Sequence, residues 1–477
     1  MMRLAVAALL AAALALCCTG CSGLSLRAED LMRPPKLTEE QTAIENALKA
    51  SAISSDITYK YPQSGDYRSA FVFHDLDGDG LEESLVFYAA PSLTSYARVA
   101  LLDQLEGGWT AVEEMPGPGQ DVAFICFGSL TRPGQQDIVI GWSSPEQEGR
   151  QLGVYAYQDG GLEELYSSSY DSYLLEDLSE DGLDDLFLLE REGESSSLNL
   201  VRWDGYQLAR TSRMALAQRI SQVPRMTAGM LSSADTQKGL FLDELLSDGS
   251  LATEVFTVEE GELYGVVTYD MPSDQVLLEE ARAQAEGALP AAGLALQSPT
   301  LYDQTLRINT AARDEEPFPL CGDVNGDGIV EIPTSRRLPG YTDAEEGTWL
   351  YLTEYNQLRG RSLERIYAAA VNRQAGYQVV FPEAWIGQVS IASRQEDNEW
   401  RFVAFSGTLA QSRELARIRV VSQKDYQDKF LGDYQVFAER GMFTFYGYVP
   451  PQEGQAPQGE AGLQVSLEEL RGLFSLV

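Results

Sequence analysis

The chain has 477 residues, 44% of them hydrophobic and 22% charged, so it holds enough apolar material for a sizeable core and is not disordered as a whole. Lys and Arg total 35 against 72 Asp and Glu, a formal charge of −37, which argues against nucleic acid as a partner because phosphate binding needs clustered positive charge. The single histidine excludes zinc sites built from two or more His and any Ser-His or Cys-His pair that does not use His74.

The N-terminus reads Met1-Met2-Arg3, then thirteen apolar residues from Leu4 to Leu16, then Cys17-Cys18-Thr19-Gly20-Cys21. A charged start, a short apolar stretch and small residues before a cut site form an export signal. Thirteen helical residues span only about 20 Å, short of the roughly 30 Å of a bilayer core, so the stretch is not a membrane span. Cys18-Thr19-Gly20-Cys21 resembles a bacterial lipobox. That resemblance implies a signal peptide over 1–20, lipidation of Cys21 and an anchor in the outer face of the bacterial cell membrane. Residues 21–37 form a tether.

A helix and lead-in occupy 38–65. Thr38-Glu39-Glu40-Gln41 fits a capping box, and Ile44, Ala47 and Leu48 share one face of a helix running to about Ala52. From 66 onward short runs of Val, Leu, Phe and Tyr alternate with Gly/Asp turns, as in Ala70–His74, Ser84–Tyr88, Asp137–Trp142 and Gly153–Tyr157. Glu106-Gly107-Gly108, Asp159-Gly160-Gly161 and Asp204-Gly205 are hairpin turns by composition. The chain is therefore expected to be mainly β.

Three segments repeat one acidic pattern, starting at Asp75, Asp177 and Asp323, 102 and 146 residues apart. A degenerate copy, 127–137, lies between the first two. Those intervals are close to two and three units of about 50 residues, the size of a four-stranded propeller blade. Residues 66–370 would hold about six such blades, with five to seven as the range; 275–300 is Ala-rich and helix-like.

Each acidic segment offers side-chain oxygens at positions 1, 3, 5 and 9: Asp75, Asp77, Asp79 and Glu83; Asp177, Ser179, Asp181 and Asp185; Asp323, Asn325, Asp327 and Glu331. Gly80, Gly182 and Gly328 stand at position 6, where the backbone bends, and the carbonyls of Leu81, Leu183 and Ile329 follow. Converging hard oxygens in a tight turn suit Ca2+. An EF-hand needs Glu at position 12, and these loops have Val86, Leu188 and Thr334 there, ahead of strand-like runs. The arrangement resembles the FG-GAP/VCBS-type repeats of integrin-like β-propellers, over about 300 residues, with Phe127-Gly128 as the one copy of the name-giving pair. The resemblance implies up to three structural calcium sites and a binding or scaffold role.

Residues 371–477 look like a small separate α+β domain, with strands at Val389–Ala392, Trp400–Phe405, Ile418–Val421 and Met442–Val449, a helix at Leu409–Leu415 and a capped helix after Ser466. Its opening, Tyr377-Gln378-Val379-Val380-Phe381-Pro382-Glu383-Ala384-Trp385, is similar to PsbP-like α-β-α sandwich domains. Cys126 and Cys321 are expected as buried free thiols, His74 in a packing role, and Trp109, Trp142, Trp203, Tyr155 and Tyr157 as core aromatics. No Gly-x-Ser-x-Gly, Ser-x-x-Lys or phosphate-binding loop is present. The expectation is a non-enzymatic, calcium-stabilised, monomeric surface lipoprotein that binds a protein or glycan. The rivals are a glycan or peptidoglycan hydrolase using paired carboxylates and a scaffold for envelope assembly.

Overall fold

The computed structural model describes residues 37–51, 56–90, 96–105, 108–145, 149–158, 160–193, 195–216, 220–232, 235–247, 249, 251–266, 319–341, 349–359, 362–394, 398–422, 424, 431–451 and 461–477. The export signal, the lipidation residue Cys21, the tether and the Ala-rich stretch 275–300 lie outside them, as do Glu106, Gly107 and Asp159.

The described residues are mainly β, in antiparallel sheets of four or five strands that follow one another along the chain. The first holds strands between Thr58 and Pro116, the second between Asp121 and Tyr170, the third between Ser172 and Ala215, and the fourth between Ile220 and Val266. The fifth holds Ile332–Arg337, Tyr351–Arg359, Ser362–Asn372 and Tyr377–Phe381, with Phe474–Leu476 added at its edge. The sixth holds Val389–Arg394, Glu399–Ala404, Arg413–Ser422, Phe443–Tyr448 and Gln435–Arg440, in that order across the sheet.

Successive side chains of a strand point to opposite faces, so a strand buried on both faces feeds two cores. Glu83–Ala89 does this. Leu85 and Phe87 pack with Val122, Ile138 and Trp142 of the second sheet, while Val86 and Tyr88 pack with Ile44 and Leu48 of a helix. The same alternation recurs at Leu186 and Leu188 against Phe187 and Leu189, and at Leu240 and Leu242 against Phe241. Each sheet is thereby stacked face to face on the next, from the N-terminal helix through to the sixth sheet. Each large apolar side chain buried between sheets contributes about 1.5–3 kcal/mol relative to exposure. Among the described residues no core joins the sixth sheet back to the first.

The helix spans Glu39–Ser51, and its cap is reciprocal: the Gln41 N–H donates to Thr38 Oγ1 and the Thr38 N–H to Gln41 Oε1, each at 3.1 Å. Ile44 and Leu48 are fully buried over the first sheet.

The boundary expected at 370/371 falls inside a hydrogen-bonded hairpin, since Ser362–Asn372 pairs with Tyr377–Phe381. The strands beyond it share one core with the fifth sheet, built around Tyr377, Trp385, Phe402 and Phe445, and the final strand returns to pair with Tyr377–Phe381. The strands read in this region are present, but Leu409–Leu415 is a turn running into a strand, tied by the Ser412 Oγ–H donating to the Thr408 carbonyl (2.6 Å). The one α-helix among these described residues is the seven-residue Leu467–Leu473, capped by Ser466, so they show no helical layers of an α-β-α sandwich.

Candidate metal centre

The three acidic loops fold alike. In the first, Asp75 accepts from the Gly78 and Gly80 N–H groups at 2.8 and 3.1 Å. In the second, Asp177 accepts from Asp181 and Gly182 at 3.2 and 3.0 Å. In the third, Asp323 accepts from Gly326, Asp327 and Gly328 at 2.7, 3.1 and 2.8 Å. Gly80, Gly182 and Gly328 have φ of 88°, 86° and 84°, the left-handed region that a side chain disfavours. The first two loops lead directly into Glu83–Ala89 and Asp185–Glu192; the third passes a one-residue bridge, Gly322 with Glu331, into Ile332–Arg337.

The acid at position 9 has a structural task in every copy. Glu83 accepts from the Leu76 N–H (2.7 Å), and Asp185 from Leu178 and Ser179 (3.1 and 3.0 Å). Glu331 accepts from Val324 (2.9 Å). In the degenerate copy Asp137 accepts from Leu130 and Thr131 (3.0 and 2.8 Å). All four acids are buried, and their backbone donors compensate part of the desolvation.

The loops differ in what faces position 9 across the neighbouring strand. Ser84 pairs with Leu102, Leu186 with Val201, Ile332 with Asn356 and Ile138 with Tyr155. One step outward, the residues opposing Glu83, Asp185, Glu331 and Asp137 are Asp103, Arg202, Gln357 and Ala156. These positions carry no signal within the loop motif; only the strand register brings them to it.

In the first loop, carboxylate oxygens of Asp75, Asp77 and Glu83 lie within 4.8 Å of one another, and no other such trio of acids, Cys or His forms among the described residues. Oxygens bound at about 2.3–2.6 Å to one ion are at most about 5 Å apart, so this set fits Ca2+. Asp79 stands outside the trio and accepts from the Leu81 N–H (2.7 Å). Burial, and then the neighbouring Asp77, Asp103 and Asp75, push the Glu83 carboxyl up to about 7 against the pull of the Leu76 N–H. Tyr157 of the second sheet donates to Asp103 Oδ2 (3.2 Å) and walls the site. Among the described residues no Lys or Arg pairs with these acids.

The second loop already holds a cation. Arg202 Nη2 donates to Asp181 Oδ2 (2.5 Å) and Ser179 Oγ (2.8 Å), and Arg202 Nε donates to Asp185 Oδ1. Asp177, Ser179, Asp181, Leu183 and Asp185 therefore do not fit a calcium ion in this arrangement. In the third loop the Gln357 amide bridges Asp327 Oδ2 and Glu331 Oε1 (3.0 and 2.8 Å), assisted by Asn325 Nδ2. An amide turned about its last torsion would offer oxygen instead of N–H, so Asp323, Asn325, Asp327, Ile329 and Glu331 remain compatible with a metal.

His74 stacks on Phe127, centroids 3.9 Å apart and planes 2° from parallel, joining the first sheet to the second. Cys126 and Cys321 are free, and burial pushes the Cys126 thiol up to about 12. Trp142, Tyr155 and Tyr157 are buried, and Trp109 and Trp203 half-buried. A cleft of about 440 Å3 between the first two sheets is lined by Met115, Pro118, Gln151, Tyr155 and Ser167 among others, with Glu164 as its one acid.

No family model and no curated protein matches the chain. Among solved structures it is similar to the rhamnogalacturonan lyase YesW, at 11% identity and TM-score 0.22 over 42% of this chain. It is also similar to the exotype rhamnogalacturonan lyase YesX, at 14% identity and TM-score 0.30 over 71%. A europium-containing methanol dehydrogenase aligns over 77% of this chain and 85% of its own, at 10% identity and TM-score 0.20. The chain spans 54% and 60% of the two lyases. Scores this low carry no inference about activity.

Proposed function

We propose that the chain is a non-catalytic binding or scaffold module whose sheets are arranged as blades of a β-propeller and stapled by calcium, held on the outer face of a bacterial membrane through Cys21. The observation that carries the metal reading is the first loop: three carboxylates converge within 4.8 Å at a strand junction, and among the described residues no Lys or Arg pairs with them. Bound calcium would be held by Asp75, Asp77 and Glu83, with Asp79, the Leu81 carbonyl and Asp103 nearby, and would relieve their mutual repulsion. The third loop is a second, weaker site. The blade arrangement is supported by the face-to-face stacking of consecutive sheets and by contacts between neighbouring loop ends, such as the Ser129 N–H donating to Asp184 Oδ2 (2.7 Å) and Lys238 Nζ to Glu176 Oε1 (2.7 Å).

Hydrolysis of glycans by the usual route needs two carboxyl groups flanking the bond, and the cleft between the first two sheets supplies one. The acids that do converge are tied to loop backbone, which suits a structural ion. The test is thermal unfolding of the chain in millimolar calcium and in chelator. A site occupied at 100 times its Kd adds about 2.7 kcal/mol, so the melting temperature is expected to fall on chelation; an unchanged value contradicts the reading. Cys21→Ala should release the protein from membranes in cell fractionation.

A further inference from the structure

We infer that the second acidic loop is a metal site closed by its own protein: the guanidinium of Arg202 occupies the place, and supplies the charge, that calcium takes elsewhere. The inference deepens the calcium reading above and rests on it only for the comparison with the first loop.

Three observations carry it. The loop has the oxygen pattern of its relatives, and its backbone is folded by the same bonds from position 1 and position 9. Arg202 nevertheless reaches three of the side chains that a metal would need, at positions 3, 5 and 9. A guanidinium is donor-only and cannot be deprotonated in a protein, so no rotation or pH change within the folded range converts it into a ligand. Finally, Arg202 is braced from behind. A Cβ built on Gly261, in the turn of the fourth sheet, would sit 3.0 Å from Arg202 Nη1, and Gly261 has φ of 81°. The neighbouring sheet thus presents glycine where the guanidinium packs, and Thr211 of the third sheet donates to the Gly261 carbonyl (3.0 Å). The salt bridge fixes the loop, while the guanidinium's approach to Gly261 and the Thr211 hydrogen bond tie the third sheet to the fourth.

The residue opposite position 9 then acts as a selector: Asp103 adds a carboxylate, Gln357 leaves a neutral amide, and Arg202 substitutes for the ion. Replacing Arg202 by Gln reproduces the third loop, which has the same count of three carboxylates, from Asp323, Asp327 and Glu331 against Asp177, Asp181 and Asp185.

The experiment is equilibrium dialysis of the full chain against calcium alone, counting ions per chain for the parent, Asp181→Asn, Arg202→Gln and Asp77→Asn, with far-UV circular dichroism confirming folding. Asp181→Asn is expected to leave the parent's count unchanged, and a drop of one would overturn the inference. Arg202→Gln is expected to bind one more calcium than the parent, at roughly 10⁻⁴–10⁻³ M. A folded Arg202→Gln protein with no extra ion would also overturn it. Should Arg202→Gln not fold, the Asp181→Asn arm decides alone, because Asp181 is exposed at the loop surface. Failure of the first-loop reading looks different: Asp77→Asn then leaves the count unaltered, whatever Arg202→Gln does.

Discussion

The first and second acidic loops begin alike and end in different electrostatic states. Asp75-Leu76-Asp77-Gly78-Asp79-Gly80 and Asp177-Leu178-Ser179-Glu180-Asp181-Gly182 make the same backbone turns and latch onto the same buried position 9. In one, acids meet acids, and the Glu83 carboxyl is pushed up to about 7. In the other, an arginine from the next strand completes the charge. The loop motif encodes a turn first. On the proposal above, a residue in another strand then decides whether that turn can take a metal.

The largest expected effect belongs to the second loop. Asp185→Ala removes a fully buried partner of Arg202 and orphans the Leu178 and Ser179 N–H groups. Breaking a buried ion pair by deleting one partner costs about 3–5 kcal/mol, and here chemical denaturation should show the same loss in calcium and in chelator. A calcium-dependent loss would mean that the loop holds an ion after all. Next comes Asp77→Ala in the first loop. It should forfeit the calcium stabilisation of about 2–3 kcal/mol and leave stability in chelator nearly unchanged. Equal melting temperatures for mutant and parent in millimolar calcium would break the comparison from the other side.

A smaller effect follows from Glu83. Its folded value of about 7 stands above the ordinary 4.5. The folded state therefore keeps a proton that the unfolded chain has already released. In chelator, this group's stabilisation is complete below about pH 4.5 and is lost as pH rises to about 7. Excess calcium requires the ionised carboxylate and should cancel or reverse that trend. Unfolding curves at pH 5 and 7, with and without calcium, check the sign. Smallest is Asp79→Ala, which should cost less calcium affinity than Asp77→Ala because Asp79 lies outside the converging trio. The opposite ranking in a calcium titration would show that the loop rearranges around the ion.

Much of this fold was legible because local signals carried it. The Thr38–Gln41 capping box, the glycines at position 6 and the strand-like runs after each loop all act over a few residues, and the structure holds them where the sequence puts them. What could not be read depends on register between distant residues. Arg202 reaches Asp185 only through the register that sets Leu186 against Val201 across two antiparallel strands. Phe474–Leu476 joins the fifth sheet from the far end of the chain, so the composition change after 370 looked like a domain boundary and is instead a continuation of one core. Glu83, Asp185 and Glu331 were legible as acids, but their backbone-latching task was not, because it needs the positions of N–H groups two or three residues into each turn.

The most direct test is amide hydrogen exchange across the full chain, in saturating calcium and in chelator. Calcium is expected to slow exchange in residues 75–83 and to leave 177–185 as protected in chelator as in calcium. Protection that appears at 177–185 on adding calcium, or that stays flat at 75–83, would contradict that expectation.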